Sequence, residues 1–73
     1  MSKLDNANIS ANDVAKVIDN YVIGNKAERN RAILKRRLID GMSYEKLAEE
    51  FELSTKQVQN VIKKYEYKIF THL

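Results

Sequence analysis

Two apolar stripes at helical spacing, parted by a short interruption, constrain this chain more than any other feature. Tyr44, Leu47, Ala48 and Phe51 fall at i, i+3, i+4 and i+7, and Val58, Val61, Ile62 and Tyr65 form a second stripe. Glu52 and Leu53 connect them, a link too short to let two helices drift apart. Leu53 must drop into the corner between the helices, and Ala48 supplies the small side chain needed where the second crosses the first. Ser43 and Ser54 each precede a stripe, where a hydroxyl accepts a hydrogen bond from an otherwise unpaired amide. Gln57, three residues after Ser54, completes a capping box worth typically about 1 kcal/mol.

The rest of the chain supplies a frame for this corner. Ser10 with Asp13 makes another capping box, opening a helix whose stripe is Val14, Val17, Ile18, Tyr21 and Val22. Gly24-Asn25 should stop it, since both residues tolerate the left-handed conformation. A second helix follows with Ile33, Leu34 and Leu38 inward and Gly41 as its stop. The predicted helices run over about 11–22, 26–40, 44–51 and 55–70. Residues 1–9 are polar and aperiodic and should form a disordered tail, leaving 10–73 as a single domain. Proline is absent, glycine occurs only at 24 and 41, and no run of alternating β-branched residues appears. The expected class is all-α, a four-helix domain. At 73 residues the chain buries roughly 60% of its unfolded surface.

Several function classes lose support at this level. Cysteine is absent, which removes disulfides and thiolate metal sites. No apolar run approaches the roughly 20 residues of a membrane span, and the first ten residues lack a signal peptide's apolar core, so a cytoplasmic location is expected. Catalysis is not expected either. His72 is the only histidine, Asp13 and Asp19 share a helix without one, and neither glycine belongs to a phosphate-cradling loop. No cofactor or metal is expected.

Charge is more informative by position than in sum. The net +3 divides into six basic against two acidic residues over 26–42, one Lys against four Glu over 43–53, and four Lys against one Glu over 54–73. Two basic segments flank an acidic one, as solvated helix faces would or as a phosphate footprint would. Burying 58, 61, 62 and 65 exposes Thr55, Lys56, Gln57, Gln59, Asn60, Lys63, Lys64 and Tyr67, almost all hydrogen-bonding or basic. Thr55, Lys56, Gln57, Gln59 and Asn60 are the candidates for base or groove contact. Ser43, Tyr44, Lys63, Lys64, Arg29 and Arg31 are the candidates for phosphate. Arg36 and Arg37 suit the dipole of their own helix or a pairing with Glu49 or Glu50. Lys56 opposes the dipole of the helix it opens, at a cost of a few tenths of a kcal/mol. No arginine lies on that helix, and Gln and Asn pair bidentately with adenine, so adenines should outnumber guanines among directly read bases.

The order Leu47, Ala48, Phe51, Leu53, Val58, Val61 resembles the helix-turn-helix of DNA-binding proteins. Glu52 stands where that family usually has Gly, which implies a variant turn or a residue held at a cost of roughly 1 kcal/mol. From Glu28 to Ile69, carried by RAILKRRLIDGMSYEKLAEEFELSTKQVQNVIKK, the chain is similar to the promoter-reading C-terminal domain of bacterial sigma factors and to short sigma-like proteins of phages and mobile elements. That resemblance implies duplex DNA as a partner, contact with RNA polymerase, and base reading by Thr55, Lys56, Gln59 and Asn60. The chain has no room for a promoter-melting domain, so a small transcription regulator or polymerase accessory is the expectation. The aromatic-rich end, YEYKIFTHL, is expected to pack on the first helix or to offer a homodimer contact or a docking surface for a larger partner. The competing reading is a protein-interaction module, such as one docking on RNA polymerase, that uses Glu45, Glu49 and Glu50 together with the aromatic C-terminus and binds no nucleic acid itself.

Overall fold

Serine hydroxyls start three of the four helices in the computed structural model, which describes residues 10–73. The tail expected over 1–9 lies outside the described residues. The helices are α1 (Ala11–Tyr21), α2 (Ala27–Leu38), α3 (Tyr44–Phe51) and α4 (Thr55–Thr71), and no strand occurs among the described residues. The fold is all-α, as the periodicity requires. Ser10 accepts from the Asp13 amide at 3.2 Å while Asp13 accepts from the Ser10 amide, so the first capping box is present. Ser43 caps α3 by accepting from the Lys46 amide at 3.2 Å.

The expected start and stop of α2 need correction. Asn25 does not take the left-handed conformation beside Gly24. Lys26 does, at φ 59°, and it precedes the helix without a side-chain cap. Helix α2 therefore begins at Ala27 rather than 26 and ends at Leu38 rather than 40, with Ile39 as its cap. Gly41, at φ +71°, then reverses the chain so that the Met42 amide reaches back to the Arg36 carbonyl at 3.0 Å. That bond satisfies one of the carbonyls a helix end leaves open.

Helices α2 and α4 form the middle of the molecule. Helix α1 packs against both, α3 packs against both from elsewhere, and α1 and α3 do not meet. The core takes Val14, Ile18 and Val22 from α1 and its cap, Ile33 and Leu34 from α2, Leu47 and Ala48 from α3, and Val58, Ile62 and Ile69 from α4. Val61, Tyr65, Leu38 and Leu53 are only half-buried against it, so the inward stripes are narrower than their spacing alone implies. Asn30 is the one polar side chain in the core among the described residues, and its Oδ1 accepts from Arg29 Nε and Nη2 at 3.1 and 2.9 Å. The separation of α1 from α3 means that the α3–α4 corner packs on α2 alone and is not covered by α1.

Candidate functional site

Helix α4 begins with a complete reciprocal cap. Ser54, extended at φ −79° and ψ 159°, accepts from the Gln57 amide at 3.1 Å, and the Gln57 Oε1 accepts from the Ser54 amide at 2.9 Å. Thr55, Lys56, Gln57 and Asn60 are exposed in the first turns that follow. Helices α1, α2 and α3 each carry an acid in their first turn, Asp13, Glu28 and Glu45, which favours the helix dipole. Helix α4 has none and presents Lys56 there instead.

Two of the five groove candidates are less free than expected. Gln57 Oε1 already accepts the Ser54 amide, so while the cap holds one of its two lone pairs is engaged and the cap sets the orientation of its amide group. Gln59 is half-buried rather than exposed. It stands about 60° around the helix from Ile62, at the margin of the inward side. Thr55, Lys56 and Asn60 remain fully available.

The phosphate candidates divide in the same way. Lys63 and Lys64 are exposed on α4, with Lys64 Nζ 5.4 Å from the Tyr65 ring centre. Ser43 is exposed and accepts the cap bond through its oxygen, which leaves its O–H to donate, and the Tyr44 ring lies half-buried under the Arg37 guanidinium at 4.3 Å. Arg31 is not outward as expected: it is half-buried, and its Nε donates to the Val22 carbonyl at 2.7 Å, tying α2 to the end of α1. Arg29 is engaged with Asn30, yet it also lines a shallow depression with Lys26, Glu28, Ala32 and Phe51. Phe51 ends α3, so this depression brings the start of α2 close to the corner that leads into α4. Lys26 was not singled out by its sequence context, because only packing brings it there.

Four glutamates lie along α3 and in the turn that follows it. Arg36 pairs with Glu50, as one expected pairing had it, and Arg37 instead donates to the Met42 carbonyl at 2.9 Å. Glu45 and Glu49 remain exposed along α3. Glu52, between the helices, is left-handed at φ 57° and ψ 46°, so the second of the two expected turn descriptions holds. Its amide and that of Leu53 both reach the Ala48 carbonyl, the latter at 2.9 Å.

At the far end of α4, His72 stacks on Tyr21 at 4.0 Å and its Nδ1 lies 2.8 Å from the Lys68 carbonyl. The stack and the burial of Ile69 hold the C-terminal turns against α1, one of the roles expected for that segment, while the Nδ1 contact lies within the turn itself. No helix among the described residues is long and apolar enough to cross a membrane. The chain matches no family model, no curated protein and no solved structure.

Proposed function

We propose that this protein binds double-stranded DNA with sequence selectivity, through the first turns of α4, and acts as a small transcription regulator. The observation that carries the reading is the start of α4. A helix N-terminus that lacks the acid found in the other three holds Thr55, Lys56 and Asn60 exposed, on a corner α1 does not cover. A lysine there works against the free protein's stability and in favour of an anionic ligand. Thr55 and Asn60 add donors and acceptors suited to base edges, and Lys63 and Lys64 continue the positive charge along the helix. Helix-turn-helix docking, in which the N-terminal residues of the second helix meet bases, uses the same arrangement. RNA polymerase as a further partner rests on the sigma-like sequence pattern alone.

The test is a fluorescence anisotropy titration of a labelled random-sequence duplex over a salt series. Log K should fall with log salt at about 0.9 per phosphate neutralised, giving a slope near 3 if Lys56, Lys63 and Lys64 each engage one. Absence of binding at low salt would remove this reading. The exposed Glu45 and Glu49 would then favour a protein-interaction module.

A further inference from the structure

Tyr67 is 82% exposed, the most exposed of the large apolar-bodied side chains that stand out from the surface. Among the described residues its ring meets no other ring and no cation, and its hydroxyl has no hydrogen-bond partner. Its surroundings on α4 are not random. At 3.6 residues per turn, Lys56, Lys63, Lys64 and Lys68, all the lysines of the helix, fall within an arc of about 140°. Tyr67 lies inside that arc, together with Asn60. Glu66, the helix's lone acid, lies about 60° beyond its edge. The arc faces away from the side carrying Val58, Ile62 and Ile69.

Lengths decide how such a face meets a duplex. Lys56 and Tyr67 are eleven residues apart, or about 16 Å along the axis. A major groove is about 8.5 Å deep and about 12 Å wide, so a helix entering end-on would carry Tyr67 well outside it. A helix lying lengthwise would keep Lys56, Asn60, Lys63 and Tyr67 in contact together. Helix α1 does not obstruct this, because its contacts through Tyr21 reach His72 and Lys68 at the margin of the arc.

We propose that α4 lies lengthwise along a groove of duplex DNA, with Tyr67 against the sugar–phosphate strand at the far end of a contact that Lys56 begins. This rests on the DNA-binding reading and extends it to the second half of the helix. The tyrosine supplies a ring for the sugar and a hydroxyl that donates to a phosphate oxygen, while the surrounding lysines neutralise charge.

The experiment compares the full chain with Tyr67→Ala, Lys63→Ala and Tyr67→Trp, titrating each with the same random-sequence duplex. Tyr67 is exposed, so the variants should keep the wild-type helical circular dichroism. Tyr67→Ala should bind roughly fivefold to tenfold more weakly with an unchanged salt slope, since no charge is lost. Lys63→Ala should lower the slope by about 1. The sequence has no tryptophan, so Tyr67→Trp is a single reporter whose emission should change in step with anisotropy. Unchanged affinity in Tyr67→Ala, or flat tryptophan emission through a titration that saturates, overturns lengthwise docking while leaving DNA binding intact. A Tyr67→Ala variant with normal affinity but altered sedimentation would assign the tyrosine to contact between copies. Failure of the wild type to bind would remove both proposals together.

Discussion

Glu52 is held at φ 57°, where a side chain with a Cβ is disfavoured, and its carboxylate has no partner among the described residues to offset that. Left-handed backbone costs an L-residue roughly 1–2 kcal/mol, whereas glycine adopts it freely. Glycine also loses more freedom on folding, which offsets part of the relief. Glu52→Gly should therefore stabilise the protein by about 0.5–1 kcal/mol, raising its thermal midpoint by a few degrees in circular dichroism. A lower midpoint would mean that the carboxylate carries a compensating interaction. The substitution of glutamate for the usual turn glycine was visible from the sequence, but whether the backbone stayed left-handed was not. Lys26 had no such signal, since a lysine beside Gly24-Asn25 gives no reason to expect it, rather than asparagine, to turn left-handed. Arg31 departs from its expected phosphate-facing place for a related reason. Its helix position points outward on average, and only the packing of α1 on α2 brings the Val22 carbonyl within its reach.

At the scale of elements, what proved legible was what depends on near neighbours in sequence. Both capping boxes, the serine starts and the short α3–α4 link follow from spacings of three or four residues. The partial burial of Gln59 and the stacking of His72 on Tyr21 depend on which helix packs where, which periodicity does not specify. Ala48 joins these scales. It is buried where α3 packs against α4, and the corner that aims Thr55 and Lys56 outward depends on that approach. Ala48→Leu would insert three extra carbons into a filled space, destabilising by about 1–3 kcal/mol through forced rotamers and helix displacement. Urea unfolding followed by circular dichroism should show the lower midpoint. DNA affinity measured well below that midpoint should fall too, because the two helices would be pushed apart. Wild-type affinity in a clearly destabilised variant would show that corner geometry does not control binding.

On the scale of the whole molecule, all four helices enter one core, and α3 and α4 have no separate apolar centre of their own. Leu34 lies in that core on α2, a middle helix, fully buried and remote in sequence from the first turns of α4. Leu34→Ala should cost about 2–5 kcal/mol, from lost burial plus the cavity left behind. A single core in a chain this small supplies rarely more than about 3–5 kcal/mol, so the variant should be substantially unfolded at room temperature. Helicity and duplex binding should fail together, and in wild-type protein the urea midpoints of the two signals should coincide. The comparison is informative because α4 begins with its own capping box and could be imagined to fold locally. Seventeen residues are close to the lower limit for an isolated helix even in favourable sequences, and α4 holds β-branched Val58, Val61, Ile62 and Ile69 at its inward positions. Its shape therefore depends on the core behind it. Binding that survived past the loss of helicity would mean that α4 folds on the duplex itself, and the pre-formed corner would no longer be needed to explain recognition.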